Sequence, residues 1–237
     1  VYGADEFLNN KVRYCLWLVG EGLGDILTLP PIKERVLKVK DVRLKSKDSG
    51  ANLLAQRPHQ FRDLCNPETA ILIPSVTSER RTYAPVGFLS ENDIAIAPNL
   101  IIPNGTLYEA GILMSLMHME WLRTIAGRLE NRYRYSATLV YNSFPFPLAT
   151  KEQRSQIEGL TKEIILIRQD YLLEGYALAK MYDPKEMPTD LVSAHKALDV
   201  AIEKLYRNKP FKDDSDRLQF LFTRYEQLIE AEKQANA

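Results

Sequence analysis

The sequence predicts an α+β chain: a mixed, β-rich part over residues 1–147 with one or two helices, then a small C-terminal helical part over residues 148–237. Three observations predict it. Short runs rich in β-branched and aromatic residues recur up to Pro147. Beyond that point the apolar residues keep a helical spacing. Between the two lies Asn142-Ser143-Phe144-Pro145-Phe146-Pro147, where prolines two apart remove ladder donors and resist helix.

Taken in order, strands are expected at Arg13–Leu18, Ala70–Val76, Arg81–Leu89 and Asp93–Ala97, each bounded by Gly, Pro, Asn or Ser. Between the first two, Ile32, Val36, Val39 and Val42 recur at three- and four-residue spacing, so the polar stretch from Pro31 to about Phe61 is partly helical. Gly20-Glu21-Gly22-Leu23-Gly24 reads as a strand-to-turn junction at least as well as a phosphate cradle. A clearer helix starts with Asn104 as cap. Leu107, Ala110, Gly111, Met114, Met117, His118, Trp121 and Leu122 follow a 3.6-residue period until Gly127. Its Met and aromatic stripe reads as core rather than as a cofactor box. A further strand is expected from about Glu130 to Tyr141. In the helical part, Thr150 and Gln153 make a capping box, and Ile157, Leu160, Ile164, Ile165, Ile167 and Leu172 supply an apolar face. Two more helices are expected, from about Thr189 to Tyr206 and from Asp213 to near Ala235.

With 237 residues, 45% of them apolar, the chain can bury a core. It has no apolar run of about eighteen residues, and its start lacks the basic-then-apolar order of a signal peptide, so a cytoplasmic protein with no membrane partner is expected. The sequence starts at Val1 and enters a patterned segment almost at once, which reads as a piece of a longer polypeptide. Cys15 and Cys65 are too few for a disulfide framework, and His59, His118 and His195 are too scattered for a helical metal site. No metal is expected. Zero net charge argues against a strongly basic nucleic-acid binder. The distribution qualifies this, because Lys33, Arg35, Lys38, Lys40, Arg43, Lys45 and Lys47 face only Glu34 and Asp41 within fifteen residues. Such a stripe can track phosphates or form a solvated helix face.

Catalytic motifs are missing. The sequence holds no Gly-rich turn after a strand fit for adenosylmethionine, no Asn/Asp-Pro-Pro-aromatic loop, no phosphate loop and no Gly-x-Ser-x-Gly. The expectation is a chain that does not catalyse on its own and binds no cofactor.

Several phrases are distinctive. They are Gly3-Ala4-Asp5-Glu6-Phe7-Leu8 with Arg13–Leu18; Arg81-Thr82-Tyr83-Ala84-Pro85-Val86-Gly87-Phe88-Leu89; and the long block from Leu107-Tyr108 through Met117–Trp121, Gly127-Arg128-Leu129 and Tyr133–Ser136 to Pro145. In the tail stand Met181-Tyr182-Asp183-Pro184, Met187-Pro188 and Ala194–Asp199. Together they resemble the target-recognition and C-terminal helical region of the MmeI-like (type IIL) restriction-modification enzymes, over essentially the whole chain. The resemblance implies double-stranded DNA as partner. It also implies a methyltransferase domain outside this chain that uses S-adenosylmethionine to modify adenine N6, and in some members a nuclease.

Within the Gly127–Ser136 block the family pattern resembles fixed ends around a variable Glu130-Asn131-Arg132, which the resemblance implies is a base-reading position. As a strand, it would project Glu130, Arg132 and Arg134 from one face and Asn131, Tyr133 and Tyr135 from the other. Glu can accept from cytosine N4 and Arg can fork onto guanine O6 and N7, so Glu130 and Arg132 suit a C·G pair. A surface ion pair is the plain alternative. Further candidate DNA contacts are Glu79, Arg80 and Arg81, a charged stretch before a strand; Arg57 and Arg62, which can instead cap a helix end; and Lys38, Lys40 and Arg43 in the basic stripe. Arg128 and Arg134 suit phosphate or structural contacts, and Tyr83 either wedges against DNA or packs in a strand. Two alternatives to DNA reading stand: a protein-interaction scaffold, and an enzyme in its own right.

Overall fold

The computed structural model describes residues 1–235. In chain order its elements are α1 (Ala4–Leu8), α2 (Leu23–Thr28), α3 (Pro30–Leu44), α4 (Ser49–Leu54), β1 (Thr69–Ile73), β2 (Val76–Thr77), β3 (Gly87–Ser90), β4 (Leu100–Pro103), α5 (Leu107–Leu113), α6 (Leu116–Ile125), β5 (Gly127–Leu129), β6 (Arg132–Arg134), a π-helical turn (Ala137–Tyr141), α7 (Lys151–Leu173), α8 (Leu178–Met181), α9 (Thr189–Tyr206) and α10 (Asp214–Ala235). The α+β class is borne out, with more helix and shorter strands in the first 147 residues than the β-type runs suggest. Contacts divide the chain into two compact units, residues 14–66 and a larger unit of Val1–Arg13 with the chain from Pro67 onward.

The larger unit holds two antiparallel sheets, ordered β3-β1-β4 and β2-β6-β5. β1 is central in its sheet and is buried along Ala70–Ile73, which is why its sequence reads as an unbroken apolar run rather than an alternating one. Helices α5, α6, α7 and α9 supply most of the rest of one continuous core. The starts of α5 and α7 are fixed by reciprocal capping boxes, Thr106 with Glu109 and Thr150 with Gln153.

Gly111 sets how closely α5 approaches α7. A Cβ there would press on Thr161 Oγ1 and lie 3.0 Å from Ile157 Cγ2, both on buried positions of α7. Gly111→Val is therefore expected to destabilise by about 1–3 kcal/mol through overpacking, read as a lower urea midpoint at unchanged m-value.

Several sequence expectations are corrected. Arg13–Leu18 forms no strand: Tyr14 and Leu16 face solvent, and none of the described residues pairs with the segment in a ladder. Of Arg81–Leu89 only the end is strand: Pro85 cannot donate to a ladder, and the preceding loop instead buries Tyr83, whose hydroxyl donates to Asp199 at 2.8 Å. That settles Tyr83 as a packed residue. Asp93–Ala97 contributes only a parallel bridge between Ala95 and Tyr2. The expected helix from Asn104 to Gly127 is two helices. Thr106, not Asn104, caps α5, and Ser115 breaks the run and caps α6 by accepting from His118 N. The expected strand from Glu130 to Tyr141 is the second arm of a β5–β6 hairpin followed by the π-helical turn, in which Ser136 accepts from Leu139 N.

In the smaller unit no residue of α3 is buried, although Ile32 and Val36 are partly covered. Pro30 opens that helix and Arg43 anchors its end, donating to the carbonyls of Leu54, Arg57 and Gln60 at 2.7–3.0 Å. Trp17 packs on Phe61 at 5.5 Å between ring centres.

Candidate nucleic-acid interface

The β5–β6 hairpin joins Leu129 to Arg132 through a two-residue turn, Glu130-Asn131. Glu130 takes a left-handed backbone conformation, φ 57°, which is uncommon for a residue with a long side chain. Arg128 holds the turn in place. Its Nη1 donates to Asn131 O at 3.2 Å and its guanidinium stacks over the Tyr133 ring at 4.1 Å. Beyond the turn β6 alternates as expected, with Tyr133 and Tyr135 buried and Arg132 and Arg134 exposed. The Tyr135 hydroxyl meets His118 Nε2 at 2.9 Å, and Tyr135 N donates to Ser75 O, so the inner face is bonded into the core.

The outer face is left for solvent or a partner. Glu130 sits in the turn rather than in the strand, yet it still pairs with Arg132 at 2.9 Å, the two side chains 78% and 46% exposed. Both are extended, hydrated groups whose mutual attraction is worth roughly 0–1 kcal/mol. They can exchange each other for a better partner at little cost.

Register brings a second group to this place. β2 pairs antiparallel with β6, Val76 opposite Arg134 and Thr77 opposite Tyr133. The chain leaves β2 toward Arg132, so the Ser78–Arg81 turn and the Glu130-Asn131 turn stand at one end of a single sheet. Glu79 and Arg80 are exposed there, Arg80 pairing with Asp183 at 3.6 Å. Arg81 is drawn inward: it donates to Thr77 Oγ1, its carbonyl accepts from Arg123 Nη2, and burial lowers its pKa, opposed by Asp183. It is a support for the turn. Arg134 projects from the same outer face as Arg132 with no bonded side-chain partner among the described residues.

The remaining candidates lie in the 14–66 unit and are not part of this sheet end. Arg43 has its guanidinium occupied by three carbonyls, and burial, then Arg57, lowers its pKa. Arg57 bonds Gln60 and the Arg62 carbonyl, Arg62 pairs with Asp48 at 3.1 Å, and Lys38 pairs with Glu34 at 2.6 Å. Lys40 is exposed and has no ion-pair partner among the described residues. Among the described residues no group of three metal-ligating side chains occurs, and no helix is long and apolar enough to cross a membrane.

The sequence family described as the MmeI target recognition domain matches residues 1–148. The chain belongs to this MmeI family. The family described as the MmeI C-terminal domain matches residues 149–231. DNA methyltransferase A of Bacillus subtilis (strain 168) is 41% identical over 229 residues, covering 96% of this chain and 26% of that protein. A solved structure of the type IIL restriction-modification enzyme MmeI in complex with DNA superposes with a TM-score of 0.91 at 38% identity, covering 97% of this chain and 30% of that one. The chain thus spans about a quarter to a third of the length of these MmeI-type relatives.

Sequence reasoning missed Leu129, an exposed apolar side chain paired across the hairpin from Arg132. Its signal was present: a leucine placed just before a charged turn with no apolar neighbour two residues to either side.

Proposed function

We propose that this chain is the sequence-reading part of a DNA adenine-N6 methyltransferase or restriction-modification enzyme, with Glu130 and Arg132 as the base readers. The observation that carries the reading is the sheet end itself. It presents two exposed charged turns side by side, one of them an acceptor and a forked donor paired with each other. Major-groove readout asks for that chemistry: Glu accepts from cytosine N4, and Arg donates two parallel bonds to guanine O6 and N7. Arg80 and Arg134 then serve phosphates, which fix register without carrying sequence information.

Residues 1–147 form the recognition domain in this reading, and residues 148–237 a helical support. S-adenosylmethionine binds the catalytic part of the longer protein rather than this chain, so a thermal-shift titration with it is expected to leave this chain unmoved. Two free cysteines agree with a cytoplasmic setting. Zero net charge also has its place, since phosphate contacts made by a neighbouring domain supply most salt-dependent affinity. A protein-binding scaffold is the second reading, favoured by the exposed Leu37, Val42, Leu44 and Leu53 of the 14–66 unit.

The test is adenine-modification sequencing of the full-length protein and its Glu130→Lys, Arg132→Asp double variant. The expected result is a changed preference at one base pair, with discrimination lost or inverted by roughly 1–3 kcal/mol, about tenfold to a hundredfold. Full activity on an unchanged site would overturn the assignment.

A further inference from the structure

Leu129 closes the β5–β6 hairpin opposite Arg132, so the two side chains leave the same face of the sheet. Gly127 and Arg134 are opposed on that face as well, while Arg128 and Tyr133 leave from the other. Leu129 is 46% exposed and belongs neither to the core nor to the half-buried residues packed on it. A Cβ built on Gly127 would meet nothing within 4 Å, so the surface beside Leu129 is bare. A single exposed leucine is ordinary. The place of this one is not: it stands between Arg128 and Glu130 and across from Arg132, beside an acceptor and a forked donor suited to a C·G pair.

The spacing of the hairpin limits what such a leucine can meet. Opposed side chains of an antiparallel pair have Cβ atoms about 5 Å apart, and successive nucleotides of a duplex strand rise about 3.4 Å. With Arg132 on a guanine, Leu129 therefore reaches that base pair or the one next to it. The polar edge of the C·G pair itself is taken, O6 and N7 by Arg132 and N4 by Glu130. On the neighbouring pair an apolar group has one favourable partner, because among the four bases only thymine carries a methyl group into the major groove. A leucine set against the polar edge of a second G·C pair would strip water from it and return no hydrogen bond. A two-stranded ribbon such as β5–β6 is narrow enough to enter that groove.

We propose that Leu129 is a further specificity-determining residue, packing on the 5-methyl group of a thymine in the base pair next to the C·G pair, so that the hairpin reads a step of two pairs. This rests on Glu130 and Arg132 being base readers.

Removal of one methyl group from the DNA tests it. The full-length protein and its Leu129→Ala variant are titrated at one salt concentration with fluorescent duplexes carrying the recognised site, each thymine replaced in turn by uracil, and binding is read by anisotropy. The Glu130→Lys, Arg132→Asp variant is sequenced for its methylation site alongside. Uracil in a pair flanking the C·G pair is expected to weaken binding by the unsubstituted protein about fourfold, the effect of withdrawing one methyl-sized group from an apolar contact. In Leu129→Ala the same exchange is expected to matter less than about twofold, whatever that variant's own affinity, because the two truncations remove one shared contact. Uracil elsewhere in the site is expected to act alike on both proteins. A C·G pair flanked by no thymine, no effect of uracil beside it, or an effect that persists at full size in Leu129→Ala would overturn the proposal and leave Glu130 and Arg132 as readers. An unchanged preference at the C·G pair in the double variant would overturn both.

Discussion

Trp121→Ala is expected to lower stability by about 3–5 kcal/mol, the range for deleting a large aromatic from a close-packed core. Trp121 is 1% exposed and is a meeting point of three segments distant in sequence. Its ring stands 6.3 Å from Phe144 in the Asn142–Pro147 segment, and 5.2 Å and 5.6 Å from Phe222 and Tyr225 on α10. Its indole Nε1 donates to Ser143 Oγ at 3.2 Å. Truncation would leave a cavity, would remove one of the two hydrogen bonds of the Ser143 hydroxyl, which also donates to Leu139 O, and would free α10, whose only fully buried residue is Leu221.

The measurement is urea unfolding followed by tryptophan emission and by circular dichroism. The sequence has just two tryptophans, and Trp17 belongs to the 14–66 unit, so emission of a Trp17→Phe protein reports the larger unit of the parent alone, while circular dichroism carries the comparison with the Trp121 variants, which have no tryptophan left in that unit. Trp121→Phe is expected to recover most of the loss, because the aromatic contacts survive and only the Ser143 hydrogen bond goes, worth roughly 1 kcal/mol. A loss under 1 kcal/mol in Trp121→Ala would mean that α10 does not depend on this anchor.

The long helices were legible because their signals are local. The Thr150–Gln153 capping box and the spacing from Ile157 to Leu172 lie within α7, and Thr189–Tyr206 was bounded to the residue. Strands were legible only where pairing was dictated by burial, as in β1. Arg13–Leu18 has the same β-type composition, but a strand needs a partner and no window of sequence names one. The β5–β6 hairpin hid for a different reason. Its turn is Glu130-Asn131 with no glycine, and its left-handed residue is held by Arg128 contacts that follow from register.

The candidate site divides the same way. Glu130 and Arg132 are neighbours in sequence, so their pairing could be read directly, whereas the arrival of Glu79 and Arg80 beside them needs the β2–β6 register. Arg168 and Asp199 carried a readable signal that went unused: each is a charged residue on the apolar stripe of an otherwise regular helix. A polar residue in such a stripe has to be bonded in the core, as Arg168 is to the Val86 carbonyl and Asp199 to Tyr83 and Leu116.

Asp199 leads to a pH dependence with an unusual shape. Its carboxylate accepts from Leu116 N and from the Tyr83 hydroxyl, both at 2.8 Å, yet burial pushes its pKa up to about 7, with the two hydrogen bonds acting in the opposite sense. His118 and His195, fully buried, are pushed down to about 3, His195 also by the nearby Arg168 guanidinium. The signs oppose. The histidines bind protons in the unfolded chain below about 6.5 but not in the fold, so their contribution is present above that pH and is lost as pH falls toward 3. Asp199 holds a proton in the fold that the unfolded chain releases above about 4, so its contribution is present at low pH and is lost as pH rises through 7. Glu120, raised by burial, acts in the direction of Asp199, and Asp216, lowered to about 2 by Arg207, matters only below about pH 4. From pH 6.5 to 4.5 two unfolded-state protons therefore compete with one native-state proton. Stability is expected to level off near pH 7 and to fall on the acid side by about 1.4 kcal/mol per pH unit. Asp199→Asn keeps an acceptor for Leu116 N and removes the opposing proton. In that variant the acid slope is expected to double, to about 2.7 kcal/mol per unit. Urea unfolding of both proteins between pH 4.5 and 8 measures the two slopes. An acid limb unchanged by Asp199→Asn would show that Asp199 is ionised in the fold throughout this range, its two hydrogen bonds outweighing its burial.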